Sequence, residues 1–303
     1  MTTEKNASPC KILITGSSGS LGSILTEYFC RKEISVVGID IVENDKSPDS
    51  NNFTFYRESV RDIKKMEEIF FHENPTHLIH LAWSYNRLRD QKEEYENDVT
   101  GTKNILDIAD RVKSVKQFTF FSSASAYGAW SDNYLWMPEK QELRPGEYRY
   151  GINKKSVEEL LNQYISKNGI KINILRVCTV VGPHYDKKRS AVSILIKFPF
   201  MMKVSQSCEL QLLHEEDLFS MMDLIVNDQT ISGTYNIAPD DYATVKELVP
   251  DKPYYPVPIR LIKAVFGILW NVRIINLHPS CLNASRYGIV IDPSKFVKRY
   301  NYQ

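Results

Sequence analysis

The chain has 303 residues, of which 43% are hydrophobic and 25% charged, an ordinary balance for a globular protein. Its 38 Lys and Arg stand against 37 Asp and Glu, so it lacks the basic excess that a general nucleic-acid binder needs to hold phosphates. The cysteines Cys10, Cys30, Cys178, Cys208 and Cys281 are odd in number and form no CxxC, which argues against a disulfide framework or a zinc cluster.

The first ten residues are polar and lack the apolar run of a secretory signal. With no stretch of 18 uncharged apolar residues either, a cytoplasmic protein without a membrane partner is expected. KILITG (11–16) reads as a short buried strand ending in a turn. Ser20–Arg31 reads as a helix, with Leu21, Ile24, Leu25, Tyr28 and Phe29 at helical spacing, and SVVGID (35–40) as the next strand. Strand, Gly-rich turn, helix and strand make a βαβ unit with parallel strands. The alternation continues with a strand at Phe53–Tyr56, a helix at Ile63–Phe71, a strand at HLIHLA (77–82) and a helix over Asp98–Val112. Then come a strand at QFTFFSS (117–123), a long helix over Tyr150–Lys167 and a strand at KINILRV (171–177). This rhythm predicts an α/β fold: a Rossmann-like, doubly wound parallel sheet with helices on both faces.

After Gly182 the rhythm breaks. Residues 184–216 and 241–303 read as irregular, with Pro250, Pro253, Pro256 and Pro258 close together, and GTYNIA (233–238) reads as one more strand. The expected organisation is a dinucleotide-binding domain over 1–183, to which 217–240 return, and a smaller C-terminal substrate lobe from 184–216 and 241–303. The segment Ile259–Ile275 is apolar but carries Arg260, Lys263 and Arg273, and is read as a packing helix rather than a membrane-surface one.

The turn after the first strand reads Gly16-Ser17-Ser18-Gly19-Ser20-Leu21-Gly22. Glycines lacking Cβ let backbone approach a pyrophosphate, and a following helix N-terminus offers free N–H groups and a positive dipole end. The spacing is GxxGxxG, not the GxGxxG of many dehydrogenases. Asp40 ends the next strand. A carboxylate there accepts from both adenosine ribose hydroxyls and repels a 2′-phosphate, which selects NAD over NADP.

Tyr150 and Lys154 lie at i and i+4 and share one helix face. Ser123 ends the preceding strand, where open α/β sheets place ligands. A phenol with pKa ~10 is a poor base near neutrality, and a neighbouring ammonium favours its phenolate. Together these groups suit proton transfer at an alcohol or ketone, coupled to hydride transfer.

At this point the chain resembles the extended short-chain dehydrogenase/reductases, specifically the NAD-dependent epimerase/dehydratase family. The matching stretches are TGSSGSLG (15–22), Asp40, Asp62 in VRD, HLA (80–82), NDVTGTKN (97–104), SSASAYG (122–128), YGINK (150–154), LRVCTVVGP (175–183), LLHEEDL (212–218) and GTYNIA (233–238). The resemblance implies that Gly16, Gly19, Ser20, Leu21 and Gly22 meet the pyrophosphate. It implies Asp40 at the ribose, Val60 and Asp62 at the adenine, and Leu81, Ala82, Trp83 and Asn97 along the dinucleotide. Val177 then borders the nicotinamide, and Ser123, Tyr150 and Lys154 form the catalytic triad, with Tyr150 as acid/base. Asp62 has a plainer alternative as a helix cap, and Asn97 as a partner of its own helix backbone. Pairing of two copies through helices 98–112 and 150–165 is also implied, giving a homodimer.

Departures from the family pattern narrow the chemistry. The Asp-Glu pair of the 4,6-dehydratases is replaced by Ala124 and Ser125, so dehydration is not expected. The two substrate-clamping Arg positions fall at Leu210 and Leu282. Arg189 and Arg286 are alternative cations for a diphosphate, and Ser84, Tyr85 and Ser125 are further candidates for substrate contact. His184 and His214 lack paired ligands at metal spacing, and no metal is expected. The first functional reading is an NAD-dependent epimerase or oxidoreductase acting on a hydroxyl or keto carbon of a carbohydrate-like, nucleotide-linked small molecule. The alternatives are a reductase or dehydrogenase of a non-nucleotide alcohol or ketone, and a non-catalytic NAD-binding regulatory protein.

Overall fold

The computed structural model describes residues 10–44, 48–84, 90–185, 201–203, 208–275 and 278–302. Seven parallel strands form its central sheet: β1 (Lys11–Thr15), β2 (Ser35–Asp40), β3 (Phe53–Arg57), β4 (His77–His80), β5 (Gln117–Ser123), β6 (Lys171–Val177) and β7 (Gly233–Ile237), in the order β7-β6-β5-β4-β1-β2-β3. Because β1 pairs with β2 on one side and β4 on the other, the chain reverses direction across the sheet at β1. In such sheets a crevice opens beyond the strand carboxyl ends at that point, and ligands bind there.

Side chains alternate across the sheet and feed two cores. On one face, Ile12, Ile14, Leu175 and Val177 pack with Ile24, Leu25 and Phe29 of α1 (Ser20–Arg31) and with Leu218, Met222 and Ile225 of a later helix. On the other face, Leu13, Val37, Phe118, Phe120 and Ile174 pack with α2 (Ile63–Glu73) and with the segments Val99–Ala109 and Val157–Leu161.

The helix expected over Asp98–Val112 is built differently. Asp90 accepts from the backbone N–H groups of Lys92 and Glu93 and starts α3 at Gln91–Tyr95, a π turn follows at Glu96–Thr100, and α4 runs Gly101–Ala109. Asp110 ends α4. Its carboxylate accepts from Ser166 Oγ and from the N–H groups of Lys167 and Asn168. The same bonds draw 166–168 out of helical geometry, so α5 spans Arg149–Gln163 rather than reaching Lys167.

α6 (Glu215–Asn227) opens the stretch that returns to the sheet, and α7 (Ile259–Asn271) falls within the helix expected over Ile259–Ile275. The segments read as irregular are otherwise more regular than their sequence suggests, and they hold α8 (Ser294–Tyr300). Short strands add to this: Leu212–His214 pairs with Thr179–Val181, Ala243–Thr244 with Glu209–Leu210, and Tyr254–Pro256 with Met201–Lys203. Pieces of two or three residues carry no readable periodicity, which is why the sequence reads them as loop.

Candidate active site

The loop after β1 is shaped by backbone contact. Gly16 has φ +73°, and a Cβ there would lie 2.5 Å from Ala82 N. A Cβ on Gly22 would lie 2.0 Å from Gly16 O, so helix and turn touch directly. Gly19 precedes α1, and no side chain caps that helix. The N–H groups of its first turn, at Ser20, Leu21 and Gly22, are thus available to an anion. Asp40 stands at the mouth of this cradle, its carboxylate accepting from Ser18 N at 3.0 Å and Val42 N at 3.2 Å. Leu81 and Ala82 form the wall opposite Gly16. These features fit a dinucleotide whose pyrophosphate lies on the α1 N-terminus and whose ribose lies at Asp40. Val60 is buried beside Gly101, while Asp62 acts as the N-cap of α2, accepting from Lys65 N at 3.1 Å.

The catalytic candidates assemble at the carboxyl edge of β5 and β6. Ser123 sits opposite Val177 in register, and its Oγ accepts from Ser125 N at 3.1 Å. α5 approaches this edge closely at Gly151, where a Cβ would lie 2.7 Å from Ser125 O. That close approach sets Tyr150 and Lys154 beside the end of β5. Lys154 Nζ donates to Phe121 O at 2.7 Å and lies 5.5 Å from the centroid of the Tyr150 ring. It also sits 3.4 Å from the centroid of Trp83, whose indole meets the Tyr150 ring edge-on at 6.2 Å. Trp83 Nε1 is buried without a hydrogen-bond partner.

Lys154 is a buried cation, and burial pushes its pKa down to about 7, against the pull of Asp98 and Glu158. Both carboxylates are buried and both are held by other groups. Asp98 accepts from Ser84 N at 2.8 Å, from Asn97 Nδ2 at 3.2 Å and from Asn153 Nδ2 at 3.3 Å; burial raises its pKa. Glu158 accepts from Ser122 Oγ at 2.5 Å and from the Arg176 guanidinium at 2.7 and 3.0 Å. Arg176 donates onward to Tyr127 Oη at 2.7 Å, and Tyr127 donates to Asn236 Oδ1 at 2.9 Å. The lysine therefore rests on a hydrogen-bonded polar layer extending across β5, β6 and β7.

A second chain of bonds joins the cradle to the π turn. Thr102 Oγ1 donates to Asp98 O at 2.5 Å, so it accepts from His80 Nε2 at 2.9 Å. Burial, and after it the charge on Lys154, pushes His80 down to about 3. A neutral ring with its proton on Nε2 accepts at Nδ1 from Thr15 Oγ1, 2.6 Å away.

Of the expected site residues, Gly16, Gly19, Asp40 and Ala82 meet around the cradle, and Trp83, Tyr150 and Lys154 meet at the carboxyl end of β5, with Ser84 bonded to Asp98 beside them. Asn97 belongs to the site indirectly. Its side chain donates to Ser84 Oγ at 2.6 Å, and the neighbouring Asp98 is one of the two carboxylates whose charge acts on Lys154. Arg286 is exposed at the end of the 3-10 helix Pro279–Ser285, with its guanidinium over the Tyr287 ring. Tyr85 and Arg189 lie outside the described residues. His184 Nδ1 meets the buried Glu215 at 2.6 Å, and His214 caps α6. Among the described residues no group of three or more His, Cys, Asp or Glu converges on a metal position.

Sequence reading missed Asp98, Glu158 and Arg176. The signals were a second acid beside Asn97, an acid four residues after Lys154, and a lone Arg inside the apolar run KINILRV.

The profile of the NAD-dependent epimerase/dehydratase family matches residues 12–238. A dTDP-D-glucose 4,6-dehydratase of Dictyostelium discoideum is 27% identical over 260 residues, covering 76% of this chain and 58% of the relative. A putative UDP-glucose 4-epimerase of Methanocaldococcus jannaschii is 31% identical over 201 residues, 63% of either chain. The chain therefore spans less than two thirds of the length of these relatives. Among solved structures, the Bordetella bronchiseptica enzyme WbmG in complex with NAD and UDP has a TM-score of 0.78 at 22% identity, covering 98% of this chain and 90% of that one. A Thermus thermophilus UDP-glucose 4-epimerase in complex with NAD has a TM-score of 0.74 at 19% identity, covering 97% and 93%. At these identities the structural likeness speaks for the fold.

Proposed function

The chain belongs to the NAD-dependent epimerase/dehydratase family, and on that premise we propose that it oxidises or epimerises a hydroxyl-bearing carbon of a nucleotide-linked sugar. The observation that carries this reading is the placing of Lys154 Nζ 5.5 Å from the Tyr150 ring, at the sheet edge reached by the glycine cradle. The chemistry supplied by bound NAD is reversible hydride transfer. Gly16, Gly19, Ser20, Leu21, Gly22 and Asp40 hold the dinucleotide. Tyr150 takes the proton of the substrate hydroxyl and returns it. The Lys154 ammonium favours the phenolate, and Asp98 and Glu158 help keep that ammonium charged near neutrality. Ser123 Oγ, at the strand end, orients the substrate oxygen.

Ala124 and Ser125 follow Ser123 without a carboxylate, so no acid stands there to expel a hydroxyl group as water. This favours epimerisation or simple redox turnover over 4,6-dehydration. A second reading, a non-nucleotide alcohol or ketone as substrate, is supported by Leu210 and Leu282 at the expected diphosphate-clamping positions.

The test is Tyr150→Phe. Removing the acid/base is expected to lower kcat by about 10²–10⁴-fold while calorimetry shows unchanged NAD affinity. Undiminished turnover in the variant would overturn the assignment. A nucleoside diphosphate panel separates the two substrate readings, since the first requires measurable binding of at least one base. We also propose a homodimer through α4 and α5; light scattering that returns a monomer mass would refute it.

A further inference from the structure

The segment 252–291 contains no Asp or Glu but carries Lys252, Arg260, Lys263, Arg273 and Arg286. The rest of the chain holds 33 basic and 37 acidic residues, so the stretch is net positive through its lack of acids, not through a richer supply of Lys and Arg. At its centre lies α7, the expected packing helix, which packs through one side only. Ile262 is its one fully buried residue. Leu261, Val265, Ile268 and Val272 are 57, 45, 63 and 58% exposed, and Ile274 just beyond is 70% exposed. Spacings of four, three and four residues put the first four on one stripe. Ile262, Phe266 and Leu269 turn the other way, toward the lobe. The helix is thus apolar on both sides. Arg260 near its start and Arg273 just past its end are exposed.

An outward apolar stripe of this length marks a contact surface. Its thirteen residues span about 20 Å, too short to cross a bilayer, and no helix among the described residues is long and apolar enough to do so. A two-fold contact through α7 would set the basic residues of 252–291 against their own copies, with no carboxylate in the segment to answer them. A surface that accepts apolar side chains and also carries negative charge answers both features.

We infer that α7 docks flat on a membrane surface rich in anionic lipid, with Leu261, Val265, Ile268 and Val272 entering the acyl boundary and Arg260 and Arg273 meeting headgroups. This departs from the expectation of no membrane partner drawn from the sequence. The docking element is tied to the catalytic face. Trp270 of α7 packs edge-on against His278 at 5.4 Å, and His278 feels the charge of Arg149, which opens α5 one residue before Tyr150.

Flotation of the purified full chain with vesicles tests the proposal. It is expected to bind vesicles of phosphatidylcholine with phosphatidylserine and to release at high salt. Binding to phosphatidylcholine alone is expected to be weaker by about tenfold or more. Ile268→Glu and the pair Arg260→Glu with Arg273→Glu are each expected to lower binding by about tenfold. All these residues are exposed, and an unchanged far-UV CD spectrum and melting curve show that the variants fold. Absence of binding to charged vesicles overturns the inference, as does binding unaffected by these substitutions. Sedimentation that shows a dimer dissociated by Ile268→Glu, with no vesicle binding, overturns it in favour of a second copy on the same face.

Discussion

α5 and α7 are helices of similar length that invert the usual rule of burial. α5 buries Asn153, Lys154 and Glu158 against the sheet, whereas α7 leaves Leu261, Val265, Ile268 and Val272 in solvent. Each inversion has a local cost, because a buried charge loses water and an exposed apolar side chain orders it. On α5 the cost is offset inside the molecule, by Arg176, Ser122 and Asn153 around the carboxylates and by Phe121 O on the lysine. On α7 no described residue offsets it. On the reading proposed above, the contrast separates chemistry, where polar groups are buried and mutually satisfied, from contact, where apolar groups are left open.

The sharpest way to break the comparison is at the buried network. Arg176→Leu leaves Glu158 buried without its cation, and is expected to lower stability by about 3–5 kcal/mol, as measured by urea unfolding. The second test concerns Lys154. Its folded pKa of about 7 lies below the ordinary lysine value of ~10.4. Between those values the unfolded chain binds the extra proton, so stability should rise with pH from about 7 to ~10. Lys154→Met should be more stable than the parent near neutrality, and the difference should shrink as pH rises through that window. A gap that stays constant would show that Lys154 is not a penalised buried cation.

A smaller effect is expected at Asp98. Asp98→Asn keeps the shape and removes a charge that raises the Lys154 pKa. The alkaline limb of the kcat/KM profile should then move to lower pH, with NAD affinity little changed. An unmoved limb would place Asp98 among residues that only support the π turn. The least effect is expected on α7, where Ile268→Ser should change the stability of the free protein by less than about 0.5 kcal/mol, since its side chain is mostly in solvent. A large loss in thermal unfolding would mean that the stripe is already packed.

Much of the sheet was legible because it is locally encoded. β1, β2, β5, β6 and α1 fall where apolar runs and helical spacing put them, for neighbouring residues alone set those periods. The glycine cradle was legible for the same reason, since strand, turn and helix follow one another in the chain. The split of the Asp98–Val112 helix was not, because it depends on Asp90 at one end and on Asp110 reaching 166–168 at the other. The site divides in the same way. Tyr150 and Lys154 announce themselves by their spacing, while Asp98, Glu158 and Arg176 become partners only when three separate segments pack together.

The sequence by itself determined the parallel α/β sheet, the glycine turn between β1 and α1, and the shared face of Tyr150 and Lys154. Those features arise from residues a few positions apart, where backbone geometry fixes who meets whom. Only the tertiary structure decided which charges are buried behind Lys154 and which apolar face of α7 is left uncovered. Burial depends on what distant segments bring to a surface, and a charged residue in a strand or an apolar one on a helix reads alike until that cover is in place.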